Sequence, residues 1–212
     1  MPDTATFLLF LATAVGLAVL PGPGILYVAA RTLAGGRGEG LASSFGTGLG
    51  GFVHVAAGAL GVSALVVASA EAFTVLKLVG AAYLVWIGVR TLRAAREAAT
   101  AGSAPAPART GVSRAFRDGA LVEALNPKTA AFFLALLPQF VDPAGDVALQ
   151  FVLLGAICVA LNTAADVVVV FAAVSARRGL GARPGLVRRL QQGSGVLLCG
   201  LGLSLALARR SS

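Results

Sequence analysis

Apolar residues run on without alternation over residues 5–30, 41–67, 73–92, 119–140, 148–174 and 193–208. A membrane span needs roughly 20 such residues, and the last run is the shortest. A lipid-facing barrel strand alternates apolar and polar with a period of two, so continuous runs predict helices. The chain therefore reads as an all-α integral membrane protein with six transmembrane helices.

Polar residues interrupt the runs unevenly. The longest interruption, 94–118, contains AATAGSAPAPART, a Pro/Ala/Ser-rich linker. It divides one transmembrane domain, residues 1–212, into helical halves 1–93 and 119–212. Three helices per half force opposite orientations, so a 3+3 repeat would be inverted. LAVLPGP in the first helix matches LALLPQF in the fourth. Gly80 and Gly88 in the third meet small residues, Ser194 and Gly202, in the sixth.

Charge then orients the chain. Arg31 and Arg37 fall in the first loop, Arg90 through Arg117 around the third, and Arg177, Arg178, Arg183, Arg188 and Arg189 in the fifth; these hold most of the 17 Lys and Arg residues. The second loop carries Glu71 and the fourth Asp142 and Asp146, with no basic residue between the spans. The positive-inside rule puts loops one, three and five in the cytoplasm and both termini outside, against the lesser opposition of Arg209 and Arg210. Charge placed in loops suits lipid headgroups, so the net +8 predicts no nucleic-acid partner. Met1-Pro2-Asp3 lacks the basic n-region of a cleavable leader. With 57% hydrophobic and 12% charged residues and a mean hydropathy of +0.86, an ordinary cytosolic enzyme is excluded.

Two segments break the helical pattern. Pro21-Gly22-Pro23-Gly24 lies inside the first span; the two prolines deprive the Leu17 and Val19 carbonyls of helical donors. In lipid such backbone survives only against protein or a wet cavity. A half-helix starting after it would offer free N–H groups to a carboxylate, or the segment is a plain kink. Asn126-Pro127-Lys128 breaks the fourth span likewise, with Pro138-Gln139 near its exit. Lys128 is costly in lipid, so it either snorkels to the headgroups or finds a partner inside. Broken helices in corresponding places are how transporters build a substrate site.

Ionisable residues within spans are the next candidates. Asp166 reads as the only acid deep in a span, with Asn162 and Cys158 on the same helix face. It is a proton or substrate site, or the structural partner of Lys128 or Arg31. His54, the only histidine, is in line with Gly46, Gly50 and Gly58, a close-packing face, and so points into the bundle. It serves proton coupling or a structural hydrogen bond. Gly46, Gly48 and Gly51 spell G-x-G-x-x-G inside a span, without the strand a dinucleotide site needs. Cys158 and Cys199 lack metal-site spacing and read as small buried hydrophobes. No phosphate loop, zinc-protease or nucleophile-elbow motif is present, so neither an enzyme nor a cofactor is expected.

Four blocks, PGPGILYVAARTLAGGRGEGL, GTGLGGFVH, LKLVGAAYLVWIGVRTLR and NPKTAAFFLALLPQFVDP, resemble the LysE/RhtB family of bacterial amino-acid exporters. They cover helices one to four in order. The resemblance implies a multi-pass secondary transporter of the bacterial cytoplasmic membrane, exporting small neutral or basic amino acids by proton antiport. It makes Pro21, Gly22, Pro23, Gly24, Asn126, Pro127 and Lys128 the signature segments. Substrate carboxylate would then meet the two half-helix starts, and Asp166, Asn162 or Tyr27 the ammonium; Asp166 stands for an acid of the family's fifth helix. Tyr83 matches a family position, equally explained by packing. The small-residue faces allow a homodimer or packing within one chain.

Two other functions remain open on the residues alone. One is efflux of another small solute or a metal cation on the same fold; a metal carrier should show more acids, His or Cys in its spans. The other is a non-transporting membrane scaffold, which would not need broken helices or buried charges.

Overall fold

The computed structural model describes residues 2–68, 70–97 and 109–179, with the single positions 192, 196, 198–200, 203 and 206. All structure among the described residues is helical, with no strand. Much of the predicted sixth helix, the core of the linker and most of the fifth basic loop lie outside them.

Helix α1 (Thr4–Val19) is capped by Asp3, whose carboxylate accepts from the backbone N–H of Ala5 and Thr6. It stops where Pro21 and Pro23 remove donors. Leu20 and Gly22 are extended, as the residue before proline prefers, and α2 (Pro23–Gly35) starts with Pro23 in its first turn. The two are bent by 44°. Gly36, at φ 79°, makes the left-handed turn into α3 (Arg37–Ala68), and α4 spans Ala70–Glu97.

The predicted fourth span starts earlier than its apolar run, at α5 (Val112–Ala124), and breaks at Asn126. Then come α6 (Pro127–Ala131), a π-helical turn (Phe132–Leu136) and a 3-10 turn (Leu137–Phe140). Pro138 offers no N–H to the turn before it, and the backbone re-pairs in wider and then tighter bonds. Among the described residues the last long helix is α7 (Val147–Gly179). By length and composition, Val112–Phe140 and Val147–Ser175 are long and apolar enough to cross a membrane, and the bent α1–α2 pair is so only when its two helices are taken together.

The halves interlock. Helix α3 packs chiefly on α5 and α7, both from the other half. Its glycines make this possible: a methyl on Gly46 or Gly50 would collide with the Phe116 or Ala120 carbonyl of α5, and one on Gly58 with the Phe151 ring. Gly48 and Gly51 face Thr163 and Val159 of α7. The small-residue face is thus consumed inside the chain, and the G-x-G-x-x-G spacing serves helix packing. Phe10, Phe132, Phe133, Phe151 and Cys158 are among the core side chains. Tyr83 stacks on Trp86 with centroids 5.5 Å apart.

The ends of the bundle are distinguishable. Asp3 and Thr6 share a cavity with Gln139–Asp142 at one end. At the other, the Glu39 carboxylate accepts from the N–H of Gly111 (2.9 Å) and Thr110 (3.1 Å), and Arg109 donates to the Ala34 carbonyl. Loops one and three therefore lie on one side, and the chain's start and the 141–146 loop on the other.

Candidate functional site

The helix breaks at Gly22 and Asn126 meet, and side chains of the second satisfy the helix ends left open at the first. Lys128 does not snorkel. It is 7% exposed, and its Nζ donates to the carbonyls of Leu17 (3.0 Å) and Leu20 (2.8 Å) at the end of α1. A cation here completes orphaned carbonyls and complements the negative end of the helix dipole. Gly22 leaves room for it: a methyl there would stand 3.1–3.2 Å from the outer Lys128 side chain.

Glu123, the last acid of α5, answers from the opposite direction. Its Oε2 accepts from Asn126 Nδ2 (2.9 Å) and its Oε1 from Thr129 Oγ1 (2.6 Å). A methyl on Gly24 would touch Oε2 at 2.5 Å, so this carboxylate stands at the positive start of α2. Asn126 caps α6 in turn, accepting from the Lys128 N–H at 3.0 Å. The second break thus supplies opposite charges to the two helix ends of the first, Lys128 to the end of α1 and Glu123 to the start of α2.

Asp166 of α7 faces this junction and is 6% exposed. The expected alternative, pairing with Lys128 or Arg31, is not what the structure shows. Thr47 Oγ1 lies 2.7 Å from Asp166 Oδ2 and also 2.7 Å from the Ser44 carbonyl. Arg31 instead reaches Thr110 Oγ1 (2.8 Å) and Glu39 (3.7 Å) at the end of the bundle.

Gly22, Gly24, Glu123, Asn126, Lys128, Asn162 and Asp166 line one small cavity, with Thr47, Thr129 and Thr163. Its volume of about 30 Å³ admits about two water molecules, too little for an amino acid. Pro21, Pro23 and Pro127 line a second cavity of about 240 Å³, beside Trp86 and Arg90. Gly22 and Lys128 line both.

Two expected site residues are elsewhere. Half-buried Tyr27 donates to the Ala115 carbonyl of α5 (3.3 Å). His54 Nε2 lies 2.8 Å from the Glu123 carbonyl and so donates its N–H to the backbone at the break. Neither lines the small cavity. Glu123 escaped the sequence reading, which took Asp166 as the only acid deep in a span. Its signal was present: it is the only acid in the 119–140 run, one turn before Asn126-Pro127.

The LysE type translocator family model matches residues 15–209, and the chain belongs to that family. It is 34% identical over 98% of its length to an uncharacterized membrane protein of Vibrio cholerae, covering 99% of that protein. It is 30% identical to the homoserine/homoserine lactone efflux protein of Salmonella typhimurium, over 95% of this chain and 96% of that one. A leucine efflux protein of Klebsiella pneumoniae is 29% identical over 64% of this chain and 63% of its own. No solved structure matches the chain significantly.

Proposed function

We propose that this LysE type translocator exports amino acids, small neutral or basic, across the bacterial cytoplasmic membrane in exchange for protons. The observation that carries it is the set of groups around the small cavity at the paired breaks, one ammonium and two carboxylates, in a state too closed to hold the solute. A zwitterion needs that set. Its carboxylate is matched by Lys128, and its ammonium by Asp166, Glu123 and the Asn162 amide. The names of the efflux relatives supply the substrate class.

Asp166 is the proton carrier in this reading. One Thr47 hydroxyl, with one hydrogen, stands within hydrogen-bond distance of two acceptors. A proton on Asp166 makes both contacts hydrogen bonds: Asp166 donates to Thr47, and Thr47 to Ser44. Without it, the single hydrogen must choose. Tyr27 and His54 act as positioning residues, holding α2 and α3 to α5.

Six spans in an inverted 3+3 arrangement suit the chain. Each half opens with a helix broken just before a proline, at Gly22-Pro23 and Asn126-Pro127, followed by a long helix of 32 or 33 residues. The basic loops one and three, which lie together, face the cytoplasm by the positive-inside rule, leaving both termini outside. Lipid, protons and the amino acid are the partners.

The test is efflux from cells preloaded with dipeptides, which release a panel of amino acids inside. Expression should speed release of one or more of them. A protonophore, Asp166→Asn or Pro23→Ala should each abolish the gain, with protein still in the membrane. No acceleration for any amino acid would move the assignment to another small solute. Acceleration that survives the protonophore and Asp166→Asn would remove proton antiport.

A further inference from the structure

Lys128 has an unusual place: its side chain belongs to the walls of both cavities at the junction. On one side lies the polar cavity of about 30 Å³, with Glu123, Thr163 and Asp166. On the other lies the cavity of about 240 Å³, lined by Trp86, Arg90 and the break prolines. Among the described residues the two linings share Gly22, which has no side chain, and Lys128. Lys128 is thus the one described side chain common to both walls.

Its direct hydrogen-bond partners are neutral. Lys128 Nζ is fixed by two neutral carbonyls, Leu17 and Leu20. No carboxylate lies within ion-pair distance of it among the described residues. An ammonium bonds a carboxylate roughly twice as strongly as a neutral acceptor. A carboxylate in the larger cavity would first meet Arg90, whose guanidinium sits 4.9 Å from the Trp86 ring centre, and then the Lys128 wall. It offers the ammonium a better partner than the carbonyls it leaves. A solute carrying only positive charge offers it none.

We infer that Lys128 is a movable partition between two cavities, held shut by the Leu17 and Leu20 carbonyls and released by a carboxylate-bearing solute arriving beside Trp86 and Arg90. Selection for the carboxylate then happens at entry, before the ammonium is recognised. This rests on the exporter reading for its biological sense, but its chemistry can be tested without transport.

The test uses the full-length protein in detergent, with Cys158 and Cys199 replaced by alanine and Thr163→Cys as a thiol in the small cavity. Two methanethiosulfonate reagents of similar size are compared, one ending in a sulfonate and one in a quaternary ammonium. The anionic reagent should modify the thiol at least about tenfold faster, although two carboxylates in the cavity would by themselves favour the cation. In Lys128→Met, or Lys128→Ala, the preference should disappear and the cationic reagent should speed up. Equal rates with Lys128 in place would overturn the partition, and need no Lys128 variant to fold. So would an anionic preference that survives in Lys128→Met. A second arm compares export of leucine and leucinamide by the unmodified chain. Charge-selective labelling without export of any amino acid would leave the partition standing and sink the exporter reading. Export with equal labelling rates would do the reverse.

Discussion

At the residue scale the site is a matter of which charge completes which helix end. Asp166 and Lys128 are legible in the sequence because a charge amid apolar residues has no bland explanation in lipid. Their partners are not legible. Lys128 bonds carbonyls 108 and 111 residues away, and nothing local encodes that pairing. Glu123 hides for a different reason: it lies near the start of its apolar run, where an acid reads as facing headgroups. Its bonds give a direct prediction. In Glu123→Gln the side-chain oxygen can still accept from Asn126, but the NH₂ then faces Thr129, whose hydroxyl must accept and loses the acceptor for its own hydrogen. A buried donor left unmatched costs about 1–3 kcal/mol. The variant should unfold at lower temperature in detergent by that margin. Glu123→Asp, which keeps the charge but shortens the reach, should also lose stability. If Glu123→Gln unfolds like the parent, the carboxylate does not brace the break.

At the scale of elements, the breaks were the clearest signal in the chain, because proline cannot donate and the residue before it avoids helix. The match that pointed to a repeat, LAVLPGP with LALLPQF, pairs Pro21 with Pro138. In the structure Pro138 sits in the terminal 3-10 turn, and the other described helix that starts at a proline after an extended residue, as α2 does at Pro23, is α6 at Pro127. Shared letters and shared backbone geometry here fall at different positions. The glycine stripe of α3 was legible as a packing face, but its partner was not. Spacing shows that a face is smooth, not which helix lies against it. The structure supplies α5 by placing backbone carbonyls of Phe116 and Ala120 against Gly46 and Gly50. A side chain there has no flexible neighbour to displace. Gly50→Val should therefore cost about 1–3 kcal/mol or more, read as a lower unfolding midpoint. Gly61→Ala, whose added methyl meets open space, should be nearly neutral. Equal effects of the two would mean that α3 and α5 are not in backbone contact.

At the scale of the whole molecule, one end carries a surplus of positive charge that the fold must hold together. Arg31, Arg37, Arg109, Arg114 and Arg117 fall in or beside loops one and three, and Arg31 and Arg109 bond across from one to the other. The charge asymmetry was readable and gave the sidedness of the loops, but the clasp joining them was not. Glu39 stands two residues after Arg37 in the sequence, with nothing local to mark it as a clasp. It is 5% exposed and bound by the backbone of Thr110 and Gly111, with Arg31 at 3.7 Å. It lies just before the span that begins at residue 41. The Gly111 N–H above all, helped by Thr110 and Arg31, holds its carboxyl below the ordinary glutamate value of 4.5. A carboxyl whose value falls on folding stabilises the folded state above the ordinary value. That contribution is lost as pH drops through the lowered one. Glu39→Ala leaves two backbone donors without their acceptor, at a cost of about 1–3 kcal/mol. The gap between Glu39→Ala and the parent should therefore be full at pH 7 and shrink as the pH falls below 4.5, the parent losing stability toward the variant. Unfolding midpoints of both proteins across that range decide it. A gap that stays constant down to strongly acid pH would mean that the ionised carboxylate is not what joins the two loops. A gap absent at pH 7 would mean that α5 is held to the α2–α3 turn by packing alone.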